Sequence, residues 1–114
     1  MKSFELNKQI LEIKEILLEI KKKLMEYFKE RFKDLIIYGS YARGEARKES
    51  DVDLLLILKG PVNTFQEIDN IGEIVYDLSL HYGYLFSIIP ISENDYKNQQ
   101  TSFIDFIKKE GLSI

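Results

Sequence analysis

The chain has 114 residues, 45% of them hydrophobic, and a formal net charge of −3 at pH 7, which together predict one globular domain over residues 1–114. The absence of cysteine excludes disulfide bridges and thiolate metal sites, and we expect a reducing, cytoplasmic location. A small acidic charge with both signs interspersed gives no strong case for direct nucleic-acid binding, and no apolar run approaches the ~20 residues of a membrane span.

The first predicted element is a long amphipathic helix from about Phe4 to Phe32. Its apolar positions are separated by alternating steps of four and three residues, as one helix face requires, and they are Leu6, Ile10, Ile13, Leu17, Ile20, Leu24 and Tyr27. A second row widens this stripe and consists of Leu11, Leu18, Met25 and Phe32. The second row either packs against the protein's own core or contacts a partner, and the pattern leaves both interpretations open.

Two apolar strands are predicted on either side of a short polar segment. The run LIIYG is short, apolar and rich in residues that favour β-strands, which predicts a buried strand ending at Gly39. Ser40 is a favourable N-cap residue, and the segment from Ser40 to Ala46 has room for about two helical turns. The run DVDLLLILKGP predicts a second, central strand that begins at its acidic residues and stops at Gly60.

Helices and a third strand are predicted for the remainder. Thr64 and Glu67 form a capping-box pattern for a helix that reaches His81, just before Gly83. The run YLFSIIPI predicts the third strand, and Ser92 is predicted to cap a short helix after it. The run SFIDFIKKEG predicts a last helix that stops at its glycine.

The segment between the first two strands, GSYARGEARKESDVD, ends with two aspartates separated by a single valine. Because alternate residues of a strand point to the same face, Asp51 and Asp53 are predicted to hold their carboxylates side by side. The two negative charges repel each other, and a hard divalent cation such as Mg²⁺ removes that repulsion. The spacing therefore predicts a metal site at Asp51 and Asp53.

The start of the same segment has the composition of an anion-binding turn. Gly39 allows a phosphate to approach the backbone closely, and the helix predicted to start at Ser40 directs free N–H groups toward an anion. Arg43 adds a guanidinium group that can bind phosphate oxygens. The motif lies between two apolar strands, which favours a phosphate site opposite a metal site over an ordinary loop.

The run GSYARGEARKESDVDLLL resembles the signature of the DNA polymerase beta nucleotidyltransferase superfamily, which is Gly-Ser, ten residues, then Asp-x-Asp. The small chain is most similar to its minimal nucleotidyltransferases (MNT proteins), and the likeness extends through the closing FIDFIKKEGLSI. The resemblance implies an α/β (α+β) fold with a small mixed sheet, flanking helices and a long N-terminal helix. It also implies ATP as substrate, bound at Gly39 and Ser40, with Mg²⁺ at Asp51 and Asp53, and transfer of a nucleoside monophosphate to a hydroxyl.

The chain departs from the family pattern at one position. A third carboxylate is expected in the strand after the long second helix, but the run YLFSIIPI has Ser87 at the aligned position and no acidic residue. Three alternatives follow: catalysis is weak, it is absent, or a ligand comes from Asp77, from Glu93 or from the acceptor itself.

Many minimal nucleotidyltransferases are antitoxins that act on a helical HEPN-type toxin protein, and this resemblance implies three hypotheses about function. The first is transfer of AMP from ATP to a hydroxyl of that partner protein. The second is a binding module that retains the fold and neutralises its partner by forming a complex. The third is a small-molecule nucleotidyltransferase whose pocket is completed by dimerisation, and the choice between a homodimer and a hetero-oligomer stays open.

Overall fold

The computed structural model describes residues 2–3 and 7–114, with side chains from residue 7 onward. The helices are α1 (Lys8–Phe28), α2 (Ser40–Arg43), α3 (Thr64–Tyr82), α4 (Glu93–Asn98) and α5 (Ser102–Glu110). The strands are β1 (Lys2–Ser3), β2 (Phe32–Tyr38), β3 (Val52–Leu58), β4 (Phe86–Ser92) and β5 (Leu112–Ser113).

The strands form one five-stranded mixed sheet in the order β1-β5-β2-β3-β4. β2 is antiparallel to both β3 and β5, whereas β3 runs parallel to β4, and β1 runs parallel to β5. The predicted fold, a mixed sheet flanked by helices with a long N-terminal helix, is confirmed. The two-residue strands β1 and β5 have no counterpart among the predicted elements, because such short pairings depend on neighbouring strands rather than on a local pattern.

The sheet separates two hydrophobic cores. On one face, α1 and α3 pack against alternate residues of the two central strands, including Leu35 and Ile37 of β2 and Leu54 and Leu56 of β3. The smaller core on the opposite face contains Ile36, Tyr38, Leu55, Ile57 and Ile107. The continuous apolar runs of β2 and β3 are explained by this arrangement, since both faces of these strands are covered.

The helix α1 is shorter than predicted at both described ends. Asn7 caps its start by accepting the Ile10 N–H at 2.9 Å, and Lys29, with φ of 55°, ends it. A 3-10 turn over Lys29–Arg31 follows, and Phe32 already belongs to β2. The buried stripe therefore closes at Phe28 rather than at Tyr27, which is 48% exposed. Phe4 and Leu6 lie outside the described residues.

The second apolar row of α1 does not join the core. Leu11, Leu18 and Met25 are 53%, 43% and 47% exposed, respectively. Its fourth predicted member, Phe32, lies in β2 and packs against the core. The wide stripe on α1 is thus a buried row beside an exposed one.

Two predicted helix starts are wrong in detail. Ser40 does not act as an N-cap, because the cap position of α2 is Gly39 and no side chain caps the turn. α2 also has one turn rather than two, because Gly44 adopts a left-handed conformation with φ of 72° and ends it. Asn63 caps α3 by accepting the Gln66 N–H at 3.1 Å, so the predicted Thr64 capping box is absent.

The other helix ends follow the prediction more closely. α3 ends at Tyr82 with Gly83 in the left-handed region, and Ser92 caps α4 by accepting the Asp95 N–H at 3.0 Å. α5 ends before Gly111, which is extended and does not adopt the left-handed conformation of the usual glycine cap. Gly111 has φ of −66°, but a Cβ there would lie 2.6 Å from Cγ2 of Ile36. Within the described residues no helix is both long enough and apolar enough to cross a membrane.

Candidate active site

The antiparallel pair β2–β3 brings the Gly39 turn next to the acidic residues. Tyr38, the last residue of β2, is the register partner of Asp53 in β3. Gly39 follows with φ of 79° and ψ of −155°, a region that is essentially restricted to glycine. A Cβ at Gly39 would overlap the Asp53 carboxylate, so the absence of a side chain allows the backbone to contact that group. Ser40 begins α2 beside this contact and is partly exposed.

Asp51 immediately precedes β3, and Asp53 is the second residue of that strand. Val52 between them is buried in the core against α1 and α3, whereas Asp51 is exposed and Asp53 is half-buried on the other side. Burial is the main cause that raises the pKa of the Asp53 carboxyl, and the negative charge of Asp51 raises it further. Arg43 acts in the opposite direction. A pair of carboxylates that is electrostatically unfavourable by itself suits a divalent cation.

Arg43 is engaged by carboxylates. Its Nη1 donates hydrogen bonds to Oε1 and Oε2 of Glu110 at 3.2 and 3.1 Å. Its Nε lies 3.7 Å from Oε2 of Glu45, which is largely exposed. The predicted phosphate-binding guanidinium therefore lies at the turn, but another anion holds it.

Glu110 is a site residue that the sequence patterns did not indicate. Its Oε1 accepts the backbone N–H of Gly39 at 2.8 Å, and its side chain is only 15% exposed. It also adds a negative charge that raises the pKa of Asp53. Glu110 is 71 residues from Gly39 in the chain, and a glutamate before a glycine at a helix end carries no local signal for this contact.

The expected third carboxylate is missing from the strand beside the pair. Ser87 of β4 is the register partner of Asp53 and lies directly beside it. Asp77 is exposed on α3, on the opposite side of the sheet. Glu93 follows the far end of β4, where it lies 3.4 Å from Lys33 and 3.5 Å from Lys97. Neither Asp77 nor Glu93 is placed to supply the missing ligand.

Other titratable side chains lie near the two aspartates, but the described ones do not form a further metal site. Among residues 7–114 no group of three or more acidic, histidine or cysteine side chains is arranged to hold a metal ion. Burial, with a smaller effect of the Asp53 charge, raises the pKa of Tyr38 to about 12.

A pocket of about 590 Å³ lies beside the loop of residues 46–50, which precedes Asp51. Three tyrosines also line this pocket, Tyr41, Tyr82 and Tyr84. Gly39, Asp51 and Asp53 do not line that pocket.

Residues 13–114 match the family model of the nucleotidyltransferase domain. A proposed protein adenylyltransferase of Methanocaldococcus jannaschii, MJ0141, is 38% identical over 91% of this chain and all of its own length. A second from the same organism, MJ0604, is 34% identical over 74% of this chain and 79% of its own.

Solved structures give the same fold at low sequence identity. A crystal structure of a proposed nucleotidyltransferase from Sulfolobus solfataricus has a TM-score of 0.60 and 20% identity, with 97% of this chain and 90% of that one covered. A toxin–antitoxin structure with AMP-PNP has a TM-score of 0.59 and 14% identity, with 83% of this chain and 69% of that one covered. The sequence-based recognition is confirmed at the level of the family, and the chain belongs to the nucleotidyltransferase domain family.

Proposed function

We propose that this nucleotidyltransferase transfers AMP from ATP to a hydroxyl of a partner protein, in a reaction that requires Mg²⁺. The observation that carries the proposal is the contact between the Gly39 turn and Asp53, with Asp51 just before β3 and two residues from Asp53. A phosphate-binding turn and a metal-binding pair must adjoin for nucleotidyl transfer, because the reaction depends on alignment and charge neutralisation. The name of the relative MJ0141 supports a protein acceptor.

In this proposal the chain's own groups hold the triphosphate. The Gly39 amide and the start of α2 at Ser40 contact phosphate oxygens, and Arg43 supplies positive charge on the same side. Asp51 and Asp53 would hold Mg²⁺, which would neutralise phosphate charge and lower the pKa of a hydroxyl bound to it. The acceptor oxygen bonds to the α-phosphorus, and the bond from that phosphorus to the bridging oxygen breaks. Pyrophosphate leaves with that electron pair, and the hydroxyl proton passes to solvent.

The partner in this proposal is a HEPN-type toxin protein. The toxin–antitoxin structures of the same fold support this choice, together with the family resemblance of the sequence. The exposed row of α1, formed by Leu11, Leu18 and Met25, provides apolar surface for contact with another chain. A partner that binds at the site also brings the acceptor, and with it a ligand to replace the carboxylate that is absent at Ser87.

The test uses the purified protein, Mg²⁺, ATP labelled at the α-phosphate and the product of the neighbouring gene, which the proposal expects to be a HEPN-type protein. We expect label on a hydroxyl residue of the partner, with loss of that partner's toxicity. The double variant Asp51→Asn/Asp53→Asn should abolish labelling. The variant Asp69→Asn, which removes an exposed carboxylate from α3, should leave labelling unchanged. Labelling that survives the double substitution would contradict the assigned site.

A second candidate is a binding module that neutralises its partner through complex formation. Ser87 beside Asp53 supports it, because a neutral hydroxyl is a poor substitute for a metal-binding carboxylate. In that case no label is transferred, and the Asp51→Asn/Asp53→Asn variant still neutralises the toxin. Label on an added small molecule, without label on the partner, would instead identify a small-molecule nucleotidyltransferase.

A further inference from the structure

The two groups best placed to bind phosphate oxygens already share one anionic acceptor. The Gly39 amide donates to Oε1 of Glu110 at 2.8 Å, and Nη1 of Arg43 donates to both Glu110 oxygens. Carboxylate and phosphate oxygens accept the same kind of charge-assisted hydrogen bond from amide and guanidinium donors. Glu110 therefore makes contacts of the kind that a triphosphate would make.

The backbone of Glu110 is fixed beside the turn by the fold. Gly111 follows it in close contact with Ile36 of β2, and β5 then pairs with β2 at Ile37 and Leu112. The α-carbon of Glu110 is consequently held by strand pairing and cannot leave without breaking it. The side chain, in contrast, is long and partly exposed at 15%, and it can rotate away while the backbone stays in position.

Glu110 adds to a group of negative charges around the turn. Asp51, Asp53 and Glu45 also lie near Arg43 or the turn, so Glu110 adds negative charge where negative charge already predominates. A neutral amide in its place could also accept the Gly39 N–H, but it would not form the ion pair with Arg43. A carboxylate at this position both satisfies the donors and opposes the entry of a second anion.

We propose that Glu110 is a gating residue that occupies the phosphate donors of Gly39 and Arg43 until a triphosphate displaces its side chain. Nucleotide binding is then an exchange of one anion for another on the same donors. The inference rests on the proposed function and adds to it a residue that determines how tightly the site binds phosphate. In this proposal Arg43 pairs first with Glu110 and, after nucleotide binds, with the triphosphate.

The test compares wild type with Glu110→Gln by calorimetric titration with Mg·ATP and, separately, with inorganic tripolyphosphate. Gln keeps an acceptor for the Gly39 amide but lacks the charge that holds Arg43, so we expect both ligands to bind about tenfold more tightly. The matched control is Glu45→Gln, which removes one charge beside Arg43 but makes no contact with Gly39. Its effect should be much smaller. If the two variants gain the same affinity for both ligands, the gain comes only from the loss of one negative charge, and the gating role is wrong.

A measurement on the wild-type protein tests the same proposal without depending on whether the Glu110→Gln variant folds. The ¹³C resonance of the Glu110 carboxyl and the amide resonance of Gly39 should both shift on saturation with Mg·ATP, because their hydrogen bond is exchanged. An unmoved Glu110 resonance at saturation would show that Glu110 only supports the turn. If wild type binds ATP and Glu110→Gln binds it no more tightly, the gate is wrong while the proposed function stands. If neither protein binds ATP or tripolyphosphate, both fail.

Discussion

The Asp53 carboxylate occupies the space that a side chain at Gly39 would need, because it lies where a Cβ would be. The φ of 79° adds a second restriction at this position. These two residues come from different strands, and their contact joins the predicted phosphate-binding turn to the predicted metal-binding pair. Most of the proposed chemistry depends on this contact between Gly39 and Asp53.

The substitution Gly39→Ala should reduce Mg·ATP binding by at least about tenfold, because the new methyl group displaces Asp53. Gly60→Ala is a matched control, since Gly60 also has φ of 79° but a Cβ added there would meet no atom within 4 Å. Both variants should lose about 1–3 kcal/mol of stability, because residues with a side chain rarely adopt these positive φ values. Isothermal titration and urea unfolding separate the two effects. Equal ATP binding by both variants would contradict the role of the contact.

The substitution Asp53→Asn should stabilise the protein near neutral pH while it abolishes transfer. Burial and Asp51 raise the pKa of Asp53 in the folded state, so folding disfavours its charged form. The associated stability is complete below the unfolded-state pKa and is lost as pH rises through the folded-state pKa. The melting temperature of the variant should therefore exceed that of wild type at about pH 7 and match it below about pH 4.

Thermal unfolding across that pH range checks the prediction, with Asp69→Asn as a control for loss of one exposed carboxylate. That control should show no comparable gain at neutral pH. A lower melting temperature for Asp53→Asn at neutral pH would mean that the carboxylate makes stabilising contacts which outweigh its burial and its repulsion from Asp51.

The substitution Ser87→Asp should strengthen divalent-cation binding by about tenfold, because it adds a third carboxylate directly beside Asp53. Faster transfer to the partner is expected with it. Titration with Mn²⁺, followed by electron paramagnetic resonance, measures the affinity. Ser79→Asp adds the same charge on α3, across the sheet, and should leave the affinity unchanged. Unchanged Mn²⁺ affinity in Ser87→Asp would refute the idea that the site lacks one ligand.

The substitution Arg31→Met should destabilise the protein by about 1–3 kcal/mol, because it removes the cation beside a buried carboxylate. Glu67 is only 6% exposed, Arg31 Nη2 lies 3.0 Å from its Oε2, and Asn70 donates to its Oε1 at 2.7 Å. Lys97→Met removes one cation from the more exposed Glu93 pair and should cost less than about 0.5 kcal/mol. Urea unfolding compares the two. A loss for Arg31→Met no larger than for Lys97→Met would show that Glu67 does not need its partner.

The sequence predicted the parts of this protein that are encoded locally. The apolar runs of β2 and β3 and the repeat of α1 are strong local patterns, and the structure confirms these strands and this helix. The side-by-side placement of the Asp51 and Asp53 carboxylates stays a prediction, because Asp51 lies just outside β3. Ser92 as a cap was recognisable for the same reason, since capping involves residues only three positions apart.

The errors arise where tertiary contacts override local preference. Thr64 matched a capping pattern, but its Oγ1 donates to the Pro90 carbonyl at 3.0 Å and the neighbouring Asn63 caps α3 instead. Glu67, the other half of that pattern, pairs with Arg31. Glu110 was missed because its contacts span most of the chain, and no spacing rule relates a helix end to a turn that distant.

The long separation between Glu110 and Gly39 also bears on the order in which the molecule assembles. The turn and both aspartates lie within one short segment, residues 39–53, so the β2–β3 hairpin closes a small loop and costs little chain entropy. The Glu110 contact closes a loop of 71 residues and can form only after α5 and β5 have docked. Hydrogen exchange at the Gly39 amide therefore reports how often the Glu110 contact opens, whether by side-chain rotation or by undocking of α5 and β5, while the amides of β3 report opening of the hairpin.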